Sequence, residues 1–169
     1  MVVSSRPKIV TRINKHYSCL MYKSRYIQYI HLPTIPQDIV AEAVSNIPLH
    51  LNNSIPSIND TYYWSDFDNR QLDSWCKSNI CQDIYFAFQL ITGNLSLHKD
   101  NITKTKFNYL IQTGGDSVIT TFYNNNKEII ESYSIEINRW HIIKVDTYHS
   151  VSNVQPGQIR FSVTGRIFE

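Results

Sequence analysis

This chain lacks the marks of a membrane, secreted or nucleic-acid-binding protein. No apolar run approaches the ~20 residues of a membrane-spanning helix. The opening residues, MVVSSRPKIVTRINK, hold no apolar core long enough for a signal peptide. Cysteine is sparse and odd in number (Cys19, Cys76 and Cys81), which points to reduced thiols rather than a disulfide framework. Cys76 and Cys81 have only a loose metal-like spacing, and there is no second pair to complete a zinc site. Neither sign of charge dominates. The formal charge is +2 over 169 residues, too little for the basic face of a dedicated nucleic-acid binder. The expectation is a cytoplasmic protein without membrane contact, from a bacterium or a virus-infected host cell, since the wealth of Ile, Asn and Tyr suggests an AT-rich coding sequence.

What is present is an ordinary globular balance, 42% hydrophobic and 18% charged. The length fits one domain, 1–169, able to bury its own core. Within it, 1–82 reads as an N-terminal strand and helical support. Residues 8–32 are strand-like. Pro36 and Asp38 suit the start of a helix that carries Ile39, Val40, Ala43 and Ile47 and ends at Pro48. Residues 49–61 read as loop. A second helix fits 69–79, with Leu72, Trp75 and Cys76 on one side.

From residue 83 short β-rich runs take over, at 84–91, 95–100, 106–113, 117–123, 129–137, 140–146, 148–154 and 159–168. Gly114-Gly115, Asn124-Asn125-Asn126, Asn138-Arg139 and Pro156-Gly157 mark turns between them. Eight short strands predict a sandwich or barrel, and eight is the strand number of a jelly roll. The fold class is mainly β with N-terminal helices on one outer face. In the last strand, Ile159, Phe161, Val163 and Ile167 share one face, while Arg160, Ser162, Thr164 and Arg166 share the other. The apolar face is expected to meet the helices and the polar face to look into the mouth of the sandwich.

His98 and Asp100 stand two apart on a predicted strand, so their side chains project to the same side. His149 can join them if the sheets fold onto each other. Two histidines and one carboxylate on one face of an ion leave positions open, as in non-heme iron(II) oxygenases. A structural zinc site uses four closed ligands. Arg160 follows eleven residues after His149, and its guanidinium fork suits a carboxylate. Ser162 lies on the same strand face.

The order His98-Lys99-Asp100, then His149, then Arg160-Phe161-Ser162 resembles the iron(II)/2-oxoglutarate-dependent dioxygenase superfamily, in particular its small prolyl-hydroxylase-like members. The resemblance covers residues 84–168. It implies a double-stranded β-helix core, a cupin-like jelly roll, over 83–169. It implies that His98, Asp100 and His149 bind Fe(II), and that Arg160 and Ser162 grip the distal carboxylate of 2-oxoglutarate. Asn108 or Tyr109, which alternation turns opposite ways, matches in position a further co-substrate contact. The implied activity is hydroxylation by O2, with 2-oxoglutarate converted to succinate and CO2 and no catalytic residue beyond the metal ligands. The substrate is expected to be a protein or peptide side chain or a small amino-acid-like molecule, with nucleic acid placed last.

Two other readings stay open. One is a cupin-like metal enzyme that does not use 2-oxoglutarate, although the histidine-richer, glycine-rich motifs of that group are missing. The other is a non-catalytic binding module on the same fold. Beyond the constellation, Phe122, Tyr123 and Asn153 are weak pocket candidates, and Thr61–Trp64 reads as a hydrophobic anchor or a lid. His31 and His141 read as hydrogen-bonded structural histidines, Asp146 as a turn residue, and Lys104 and Lys106 as solvated lysines.

Overall fold

The computed structural model describes residues 26–57, 60–101 and 103–167, and among them it holds eleven strands and three helices. Strand β1 (Ile27–Tyr29) leads to α1 (Gln37–Ser45), α2 (Ile47–Asn52), β2 (Ile55–Ser57), β3 (Tyr62–Ser65) and α3 (Arg70–Asn79). Eight strands follow: β4 (Phe86–Ile91), β5 (Leu95–His98), β6 (Thr105–Thr113), β7 (Ile119–Tyr123), β8 (Ile129–Tyr133), β9 (Trp140–Lys144), β10 (Tyr148–Ser152) and β11 (Arg160–Ile167). Each strand expected after residue 83 is present, with ends shifted by a few residues.

The strands form two antiparallel sheets. The larger has the order β1-β9-β6-β11-β4-β3-β2, and the smaller β5-β10-β7-β8. The N-terminal part does more than support the rest, because β1 pairs with β9 and β3 pairs with β4. It thus extends the larger sheet at both edges. The described residues include no helix long and apolar enough to cross a membrane.

Two expectations need correction. Pro48 does not end the helical run. The chain breaks at Asn46 and restarts, with Pro48 in the first turn of α2, where a missing N–H costs nothing because first-turn amides have no intrahelical acceptor. Residues 49–61 are not all loop either, since they include the end of α2 and all of β2. Pro56 is compatible with β2 because that strand lies at the sheet edge. The strand-like reading of residues 8–25 lies outside the described residues.

Alternation along β11 sets the layers. Phe161 and Val163 are fully buried with Ile39, Val40 and Ala43 of α1 and Leu72 and Cys76 of α3. Trp75 packs on this core only in part. The helices therefore cover the outer face of the larger sheet. Phe161 stacks on Phe88 at 5.3 Å between ring centroids, a geometry worth about 1 kcal/mol beyond the area buried. Gly165 faces the same side, and a Cβ there would stand 2.6 Å from Phe86 and 2.7 Å from Ile84. The opposite face of the larger sheet meets the smaller one. Leu110 of β6 clusters with Phe122 of β7, and Tyr62 and Ile91 cluster with Leu95 and Val151. Between these two apolar clusters lies a cavity.

Candidate metal centre

His98 ends β5, and His149 lies directly opposite it on β10 in the pairing register. Their rings are 4.3 Å apart between centroids. Asp100 is just beyond β5 rather than on it, so strand alternation does not place it. Its backbone N–H donates to the Val145 carbonyl at 2.8 Å, which brings the carboxylate back to the histidines. Asp100 Oδ1 lies 3.7 Å from His98 Nε2. One ligand atom from each of the three residues falls within 4.8 Å of the others. The sequence-predicted triad is thus assembled.

Each imidazole is oriented by a backbone carbonyl two residues upstream. His98 Nδ1–H donates to Ser96 O at 2.7 Å, and His149 Nδ1–H donates to Thr147 O at 2.8 Å. That leaves both Nε2 lone pairs for a metal and fixes the tautomer, as outer partners of ligating histidines commonly do. Burial, followed by the nearness of His98, holds the His149 imidazole down at about 4, so it is neutral near pH 7. Neutral imidazole is the ligating form. Two imidazole nitrogens and one carboxylate oxygen could together hold a metal ion.

The cavity beside the triad is lined in part by Lys106, Asn108, Thr120, Arg160 and Thr164. Arg160 is 5% exposed. Its Nη2 donates to Thr120 Oγ1 at 3.3 Å. Among the described residues no carboxylate pairs with it. Burial lowers the guanidinium to about 10, which leaves it charged at neutral pH. A buried cation with one weak neutral partner is costly unless an anion completes it. Thr164 is 0% exposed, and its hydroxyl has no partner.

A row of paired residues crosses the larger sheet here: Tyr29, His141, Asn108 and Thr164, on β1, β9, β6 and β11. His141 is fully buried, and burial holds it down at about 4. Its Nδ1–H donates to the Arg139 carbonyl at 3.3 Å, so Nε2 accepts from Asn108 Nδ2 at 3.1 Å. This leaves Asn108 Oδ1 unpartnered and buried, an acceptor on the cavity wall. His141 is therefore the structural histidine expected, with a role in orienting Asn108.

Other expected site residues lie elsewhere. Tyr109 turns away from the cavity, as alternation requires once Asn108 faces it. Its ring packs on Trp140 at 5.1 Å in the helix-side core, so it is a correction to the co-substrate role. Ser162 is on the cavity side of β11, but its hydroxyl donates to Gln89 Oε1 at 3.2 Å and it does not line the cavity. Phe122 is core, stacked on Tyr26 at 4.9 Å. Tyr123 bonds Ser150. Asn153 is exposed and donates to Ser117 O. His31 is exposed rather than structural. Cys76 and Cys81 are buried free thiols, and burial pushes the Cys76 thiol up. Thr61–Trp64 is mostly β3, from which Tyr62 reaches the cavity.

Sequence reasoning missed Lys106. It is not solvated: it is buried in the cavity wall with its ammonium against Asp100 Oδ2. The signal was present, since Lys106 and Asn108 are two apart on one strand and so share a face. Thr164 was legible in the same way from Arg160. Thr120 was not, because it comes from the other sheet.

No protein-family model matches this chain, and no curated protein matches it. The functional reading therefore rests on the site itself.

Proposed function

We propose that the chain is an iron(II)- and 2-oxoglutarate-dependent dioxygenase with a jelly-roll core of the double-stranded β-helix type. One observation carries the reading: a 2-His-1-carboxylate triad shares a cavity with a buried arginine that no carboxylate of the described residues neutralises. The topology supports it. β4 to β11 fall into two sets of four, β9-β6-β11-β4 and β5-β10-β7-β8, the eight strands and two sheets of a jelly roll. The charges support it too. Asp100 is the one acid among the residues lining the cavity, against the cations Lys106 and Arg160. A divalent ion would leave the cavity strongly positive, suited to a dianion such as a small dicarboxylate.

The residues present fit Fe(II). His98, Asp100 and His149 would hold it on one face, and the bound ion would supply the activation of O2 that oxidises 2-oxoglutarate to succinate and CO2 and hydroxylates the substrate. Arg160 anchors the distal carboxylate by its fork of donors, and Thr164 offers a hydroxyl on the same face. The apolar residues Ile91, Leu95, Ile143 and Val151 exclude water from the space between. The substrate class proposed is a protein or peptide side chain, or a small amino-acid-like molecule.

The test is an anaerobic titration of the protein with iron(II) and 2-oxoglutarate, followed by the visible metal-to-ligand charge-transfer band, with Arg160→Ala alongside. A band that weakens in the variant supports both metal chelation and the arginine anchor. Metal binding without a band discards 2-oxoglutarate and favours a cupin-like metal enzyme.

A further inference from the structure

The Asp100 carboxylate has two oxygens, and the fold gives them different neighbours. Oδ1 faces His98 Nε2 at 3.7 Å. Oδ2 is taken by the ammonium of Lys106. Lys106 does not come from a loose surface loop. It sits inside β6, paired with Ile143 of β9 on one side and Arg166 of β11 on the other. Its side chain is buried, with Nζ 6.0 Å from the Tyr62 ring centroid. Asp100 is equally tied, by its N–H to Val145. Both ends of the ion pair are therefore held by backbone, Lys106 within β6 and Asp100 through the residue that follows β9.

We infer that Lys106 is a positioning residue that makes Asp100 a one-oxygen ligand and so keeps a coordination position open for a reactant. The inference rests on the proposed metal site. A free carboxylate can bind a divalent ion through one oxygen or both. With two imidazoles and one oxygen, an octahedral ion keeps three open positions; a two-oxygen carboxylate would leave two. A chelating keto acid takes two positions, so the third decides whether O2 has a place to bind. Lys106 occupies Oδ2 by a charge-assisted hydrogen bond and confines the metal to Oδ1. The same ammonium adds positive charge beside the ion, which weakens the metal in exchange for the open position.

The experiment uses Mn(II) alone as the probe on the full chain. Water-proton relaxation counts the exchangeable waters on the bound ion, and an equilibrium titration gives its Kd. Wild type is expected to carry three waters, the octahedral six less two imidazoles and one carboxylate oxygen. Lys106→Met is expected to lose one water and to bind Mn(II) about tenfold more tightly, as the second oxygen joins and the repulsion goes. Lys106→Arg restores the wild-type count. A lysine with a merely structural role would, when removed, weaken the metal and leave the count alone. A count of two in wild type, or an unchanged count in Lys106→Met, overturns the inference while the metal site stands. If Lys106→Met does not fold, the wild-type count decides. Failure of wild type to bind Mn(II) overturns the metal site and the inference together.

Discussion

Gly114 lies against the backbone of Arg160 so closely that a Cβ on it would stand 2.8 Å from the Arg160 amide nitrogen. Its φ of +83° already favours glycine. The turn after β6 and the first residue of β11 are thus fitted to each other, and the guanidinium starts from a backbone that Gly114 helps to place.

Gly114→Ala should cost about 2 kcal/mol in urea unfolding, from the strained φ and the forced shift of Arg160. The shift should also weaken 2-oxoglutarate about tenfold in calorimetry. Mn(II) affinity should hold, because the histidines belong to the other sheet. Unchanged 2-oxoglutarate affinity would mean that the guanidinium finds its place without help from this turn.

Asp100→Ala should abolish turnover and metal binding. It also leaves Lys106 buried without its partner, at a cost of about 2 kcal/mol, reduced from a fully buried pair because both side chains keep some solvent contact. Thermal melts of the metal-free proteins should show a drop of roughly 5 °C. The double variant Asp100→Ala/Lys106→Met should recover most of that loss, since the two residues act as a pair. Simple additivity would show that the pair contributes nothing as a unit.

Thr164→Val and Ser162→Ala should behave in opposite ways. The Thr164 hydroxyl is buried and unpartnered, so its removal should leave stability unchanged or raised by up to about 1 kcal/mol. The same change should weaken 2-oxoglutarate about tenfold. Ser162 spends its hydroxyl on Gln89. Ser162→Ala should cost about 1 kcal/mol of stability and leave co-substrate affinity nearly unchanged. If Ser162→Ala proves the damaging variant for binding, the Arg160-Phe161-Ser162 pattern works as the family resemblance implies.

Acid should destabilise the fold through His141. Its folded value of about 4 lies below the ~6.5 of an unfolded histidine. Between those values the unfolded chain takes up a proton that the folded one refuses. Stability is therefore full above about pH 6.5 and falls toward pH 4, by about 3 kcal/mol from this residue. Denaturant midpoints at pH 7 and pH 5 should differ in wild type. The difference should shrink by about one proton's worth in His141→Gln. An equal pH dependence in that variant would assign the effect to other histidines.

The strands were legible from local pattern, and the triad from the order of its residues. Period-two alternation and turn residues mark β4 to β11, and His98, Asp100, His149 and Arg160 stand in a recognisable order. The assignment failed where a residue's role depends on what lies across a sheet. Lys106 reads as solvated until the bond from Asp100 to Val145 brings that carboxylate beside it. Tyr109 and Asn108 are equivalent in sequence, and only the location of the helices decides which of them meets the core. Pro48 signals a helix end and a helix start alike, and the choice depends on whether α2 finds apolar surface to cover. Thr120 has no sequence mark at all.

Two polar ties link residues that line the cavity: Arg160 of β11 to Thr120 of β7, and Lys106 of β6 to Asp100 just past β5. They act as spacers. They hold the cavity walls at a set spacing, so a guest need not pull the walls together. Little ordering is left for binding to accomplish, and a rigid guest of the right length gains the most from it. By the same gauge, a guest whose length does not match that spacing would have to break one of the two ties, which makes length itself a basis for selection.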